Sequence, residues 1–232
     1  MKSDRNTAII VGVLFIIATA FLFIGEAFYR PILDSTDYLD LTYPNRSVVI
    51  IGILLEFICV LAIPLIPVFL FPVLKKHNEA LALAYVVFRA IEAVILIGVA
   101  EINKLSLIGI SQKYLAQGGG DDSYYHSIGN AIKAATDWGD TAGLLYNMVF
   151  VVGALILYSV LYKSRLIPRV LSVWGIIAAV GLMIGALLST FTDISPAMVL
   201  LIIIPIGVQE MIMAVWLITK GFTPSSIALE SA

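Results

Sequence analysis

Six times along this chain an apolar run recurs that is long enough to cross the ~30 Å hydrocarbon core of a bilayer, a distance that takes about 20 helical residues. The runs cover approximately Thr7–Tyr29, Val48–Leu74, Ala80–Gln112, Gly139–Tyr162, Pro168–Thr190 and Pro196–Thr219. Within lipid every backbone N–H and C=O must be satisfied inside the chain, so such runs have to be helices, and the expected fold class is all-α. Composition agrees, since 60% of the 232 residues are hydrophobic and only 13% are charged, with a mean hydropathy of +1.01. A soluble globular domain does not have that balance. The expectation is a polytopic membrane protein: a bundle of six transmembrane helices forming a single domain over residues 1–222, with residues 223–232 as a flexible cytoplasmic tail.

Signals at the helix ends fit these runs. Asp140 is placed to cap the fourth span, and Ser195-Pro196 supplies a cap and a first-turn proline for the sixth. Lys2 and Arg5 precede the first run, and Ala18-Thr19-Ala20 has a form that signal peptidase accepts. The apolar stretch nevertheless continues through Phe21 to Ile24, so an uncleaved first helix is expected. Pro64, Pro67, Pro72 and Pro205 lack a backbone donor and should make the second and sixth spans irregular. In the third loop, Gly118-Gly119-Gly120 breaks the chain. Tyr124, Tyr125, Ile128, Ala131, Ile132 and Ala135 then recur at helical spacing. This predicts a short interfacial helix, a lid with its tyrosines and Trp138 at headgroup depth.

Basic residues set the expected orientation. An inside N-terminus puts Lys2, Arg5, Lys75, Lys76, Lys163, Arg165, Arg169 and Lys220 on the inner side, and leaves Arg30, Arg46, Lys113 and Lys133 outside. Both termini are then cytoplasmic, in the plasma membrane.

Several function classes drop out. A net charge of -2 gives no basic stripe for phosphates, so nucleic acid is not an expected partner. Cys59, the single cysteine, can build neither a disulfide framework nor a cysteine metal cluster. His77 and His126 are assigned to opposite sides of the membrane. No H-E-x-x-H pair, G-x-S-x-G elbow or phosphate-cradling loop is present, so no metal or cofactor is assigned. The bilayer is the partner that composition implies.

Against this background the buried polar residues stand out. Charge at membrane depth costs at least ~2.5–3.5 kcal/mol per residue and persists where it is paired, solvated or functional. A rise of ~1.5 Å per residue places Arg89 roughly 13 Å and Glu92 roughly 18 Å above the inner edge. Glu210 comes out near Arg89's level, and Glu56 and Asn147 near that of Glu92. With Gln209 these six residues form a candidate midplane cluster, a ligand-binding or organising pocket. Tyr85, Arg89, Glu92, Val99 and Asn103 share one helical stripe that should face inward. One arginine then faces three glutamates, so at least one of them is expected to carry a proton or be offset by a bound cation. Glu26, Glu101, Asp137, Asp140 and Asp193 form a second, outer acidic group. Carboxylates suit hard cations, though Glu101 can simply pair with Lys104.

Four segments carry a resemblance: Glu26-Ala-Phe-Tyr-Arg30, Phe88-Arg89-Ala-Ile-Glu92-Ala, Leu161-Tyr-Lys-Ser-Arg-Leu-Ile-Pro168-Arg-Val-Leu, and Glu210-x5-Trp216-Leu-Ile-x-Lys220-Gly221. Together they resemble a prokaryotic six-helix membrane family that is known only as a domain of unknown function. The resemblance implies the fold and emphasises Arg89, Glu92 and Glu210, but brings no reaction, substrate or cofactor. The functional expectation is binding or transport of a small molecule, ion or lipid. The alternatives are an intramembrane carboxylate-dependent enzyme and a non-catalytic structural or regulatory subunit.

Overall fold

The computed structural model describes residues 2–120, 123–141, 143–192 and 194–223. Among these residues there are helices and no strand. In chain order they are α1 (Lys2–Leu33), α2 (Tyr38–Thr42), α3 (Arg46–Leu74), α4 (Glu79–Ile95), α5 (Ile102–Ala116), α6 (Ser123–Gly139), α7 (Leu144–Ser164), α8 (Arg169–Phe191) and α9 (Pro196–Thr219). Six helical stretches are long and apolar enough to cross a membrane. Large apolar side chains point outward along them, among them Phe191 at 80% exposure, Val170 at 76% and Leu201 at 71%. Water penalises such a surface and lipid does not, so this is a multi-pass integral membrane protein.

The expected ends of the spans hold to within a few residues for α3, α8 and α9, and α6 is the helix expected in the third loop. Ser195 caps α9 by accepting from the Met198 amide, with Pro196 in the first turn. Asp140 does not cap the fourth span. That helix begins only at Leu144, and Asp140 instead closes the turn before it, its side chain accepting from Thr141 N at 2.7 Å and its carbonyl from Gly143 N at 2.7 Å. Helices α3 and α9 run unbroken through their internal prolines, so the expected irregularity does not appear as a break.

The break lies elsewhere. Between α4 and α5, residues Leu96–Glu101 form a wide π turn in which the Ile102 N–H reaches back five residues to Ile97 O. An added residue per turn moves the inward face on by about one position. Tyr85, Arg89 and Glu92 are buried as expected, but Ala100 and Glu101 within the π turn and Lys104 after it are buried in place of Val99 and Asn103. Val99 packs instead toward Gly139, where an added Cβ would sit 2.6 Å from the valine side chain.

The chain divides into two compact units. The first comprises Met1–Ile17, Ala62–Ala93 and Asn147–Ala232, within which α8 lies against α9. Gly185 makes that approach possible, since a Cβ there would collide with the Ile202 side chain, whereas Gly181, one turn earlier, faces open space. Two of the four segments that carry the resemblance end helices in this unit. Arg165 closes α7 with φ +57, and Gly221 closes α9 with φ +74, donating to Leu217 O at 3.1 Å. Arg5 adds donors to the last α9 carbonyls, Leu217 O at 3.0 Å and Ile218 O at 2.6 Å.

The second unit comprises Ala18–Leu61 and Val94–Tyr146. Its core gathers Tyr29, Leu33, Tyr38, Leu39, Val49, Ile53, Leu107, Tyr114 and Tyr125. Gly25 and Gly52 let α1 and α3 touch backbone to backbone, each added Cβ falling within 2.8 Å of the other's carbonyl oxygen. Helix α6 packs on α5 and on the π turn. Gly129 fits α6 over Tyr38, whose hydroxyl donates to Asn130 Oδ1 at 3.0 Å. His126 is not simply solvated, since its ring meets those of Tyr114 and Tyr38 edge-on.

Candidate functional site

The structure divides the expected midplane cluster between the two units, placing Arg89, Glu92, Asn147, Gln209 and Glu210 in the first and Glu56 in the second. In the first unit, Arg89 Nη1 donates to both oxygens of Glu92, at 3.0 and 2.8 Å. Both residues lie on α4 one turn apart, and both are buried. The guanidinium sits against the rings of Phe150, at 5.5 Å, and Tyr85, at 6.0 Å, so aromatic faces supplement the carboxylate. Glu210 on α9 interacts electrostatically with both Arg89 and Glu92.

Gln209 has a structural task. Its carbonyl accepts from Tyr158 OH on α7 and its amide donates to Leu171 O on α8 at 3.0 Å, which ties three helices through one buried side chain. Gly175 leaves room for the Tyr158 ring, with which an added Cβ would collide at 2.7 Å. Asn147 is buried in the first turn of α7.

The second unit holds a cluster that sequence reasoning missed. Lys104, 2% exposed, donates to Glu56 Oε2 at 2.7 Å, to Glu101 Oε1 at 3.2 Å and to Tyr29 OH at 2.9 Å. An ammonium has three protons, and all three are used. The remaining oxygens, Glu56 Oε1 and Glu101 Oε2, are buried without a hydrogen-bond partner. The π turn is what brings Lys104 and Glu101 inward together. Counting Lys104 among the outer, ordinary i,i+3 pairs concealed it, although the surplus of acid over base was already the signal that another cation had to be buried.

Lys104 also forms part of the wall of a cavity of about 80 Å³. That is well above the ~10–15 Å³ that one water requires. Tyr29 and Arg30 of α1, Asp34 just after it, Lys133, Thr136 and Asp137 of α6, and Asp140 after that helix supply the polar walls. Arg30 organises the acids by donating to Glu26 at 2.9 Å and standing 3.9 Å from Asp140 and 4.0 Å from Asp34. Lys133 donates to Leu33 O at 2.6 Å and lies over the Tyr38 ring.

The outer acidic group is thereby accounted for in part. Glu26 and Asp140 share Arg30, Glu101 belongs to Lys104, and Asp137 lines the cavity, while Asp193 lies outside the described residues. Among the described residues no three His, Cys, Asp or Glu side chains converge as a metal site requires.

The sequence model of one family, a domain of unknown function (DUF4386), matches residues 10–221 of this chain, and the chain belongs to that family. No curated protein and no solved structure matches it.

Proposed function

We propose that this DUF4386-family membrane protein binds a small polar or charged solute in the cavity beside Lys104 and passes it across the plasma membrane, with both termini cytoplasmic. One observation carries the reading: a cavity of about 80 Å³, within an integral membrane protein, walled by Arg30, Asp34, Lys104, Lys133, Asp137 and Asp140. Packing a helical protein into lipid needs no such feature, and Lys104, buried within a span, costs free energy at membrane depth. Concave sites with a few converging polar groups are the usual form of small-molecule sites.

Helix α6 is the movable wall in this reading. It carries Lys133, Thr136 and Asp137, and it is preceded by Gly118, Gly119 and Gly120, all at positive φ, a conformation glycine adopts without strain. The Arg89–Glu92 pair has a different role, holding α4 in register. Native mass spectrometry of the protein released from membranes tests the assignment. A co-purifying small molecule should be lost from the Lys133→Ala/Asp137→Asn variant and retained by Arg89→Ala. Loss from Arg89→Ala alone would move the site to the other unit.

A further inference from the structure

The charges around Lys104 do not balance. Glu56 on α3 and Glu101 at the end of the π turn both approach one ammonium, and both are buried, at 0% and 3% exposure. Each uses one oxygen on Lys104 and leaves the other without a partner. A buried carboxylate short of a counter-ion is costly, and taking up a proton is the usual remedy. Among the described residues the surroundings supply no spare positive charge. From α1, Tyr29 is neutral and Arg30 is committed to Glu26 and to Asp140, the acid that faces the cluster from the turn after α6. Lys133 and Asp137 of α6 line the same cavity with opposite charges.

The two carboxylates are not equivalent. Glu56 lies 2.7 Å from Nζ, a strong charge-assisted contact, while Glu101 lies 3.2 Å away. Glu101 also sits where the i→i+5 turn returns to an ordinary helix, a type of irregularity frequent at functional sites. Lys104 forms part of the cavity wall, so the cavity lies one side chain away from both carboxylates.

We propose that Glu56, Lys104 and Glu101 form a site for a single exchangeable proton, carried by Glu101 and traded with water in the cavity. The proton comes from cavity water and returns to it, with the ion pair between Lys104 and Glu56 intact throughout. Together with the solute-binding reading, on which this last step rests, it makes the transported solute one that moves with a proton.

Infrared spectroscopy of the protein in lipid reads the proton without any solute, so its failure is separate from failure of the solute reading. At neutral pH the wild type should show a carboxylic-acid C=O band that shifts when water is exchanged for D2O. That band should vanish in Glu101→Gln. It should vanish equally in Glu56→Gln, because a single remaining glutamate ionises fully against Lys104. Glu92→Gln should leave it in place. Glu101→Asp keeps a carboxyl and serves if the glutamine variants do not fold, with the band retained at a displaced frequency. Failure of Glu56→Gln and Glu101→Gln to remove any band, failure of Glu101→Asp to displace one, or a band lost in Glu101→Gln that ignores D2O would overturn the proposal.

Discussion

Arg89 and Lys104 each keep company with two glutamates, one a helical turn away on the same helix and one from another helix, yet the two clusters are built differently. Arg89 spends its closest donor on Glu92 of its own α4, and its flat guanidinium lies near the rings of Tyr85 and Phe150. Lys104 spends its protons on three different helical segments, α1 through Tyr29, α3 through Glu56 and the π turn through Glu101. The first arrangement is a local pair that a helix makes with itself. The second is a tertiary joint, and it borders a polar cavity. Burial of charge alone therefore does not tell the two clusters apart; the connection between buried charge and open space does.

Removing each cation separates the two designs most sharply. Lys104→Met leaves Glu56 and Glu101 buried without a counter-ion, and should cost about 3–5 kcal/mol in reversible unfolding from detergent. Replacing the whole Arg89 cluster together, Arg89→Met with Glu92→Leu and Glu210→Leu, should range from neutral to stabilising by about 1–4 kcal/mol, since an apolar set avoids the desolvation cost and leaves no glutamate without its counter-ion. An equal loss in both variants would erase the distinction.

Glycine substitutions sharpen the same contrast at smaller size. Gly129→Ala drives a Cβ to 2.2 Å from the Tyr38 hydroxyl and should destabilise by about 1–3 kcal/mol, detected as a lower melting temperature. Gly153→Ala, beside Arg89, meets its nearest neighbour at an ordinary 3.5 Å and should melt like the wild type. Tyr158→Phe removes the hydroxyl that Gln209 accepts from and should cost about 1 kcal/mol in the same melts. Ser195→Ala, which loses the α9 cap, should cost about 0.5–1 kcal/mol.

Six helices were legible because lipid demands long apolar runs and nothing shorter will serve. The Arg89–Glu92 pair was legible because its partners lie three residues apart on one helix, a separation the sequence contains. The Lys104 joint was not, because its contacts span 48 and 75 residues and depend on a π turn whose residues, Leu96 to Glu101, are as helix-compatible as their neighbours. Helical periodicity extrapolated through that turn points Val99 and Asn103 inward, one position out of phase. Placing Glu56 by depth alone likewise grouped it with Arg89, because a depth along a membrane normal says nothing about which neighbour a side chain faces.

If the cavity beside Lys104 fills with water, solvent reaches its walls and does not reach the buried Arg89–Glu92 pair. Cysteine accessibility in sealed membrane vesicles tests it directly, with Cys59 replaced by alanine and one new cysteine introduced at a time. Thr136→Cys, on the cavity wall, should react rapidly with a small charged thiol reagent, while Gly153→Cys, against Arg89 and Phe88, should remain unmodified. Equal labelling at the two positions, or labelling at Gly153→Cys alone, would contradict the account.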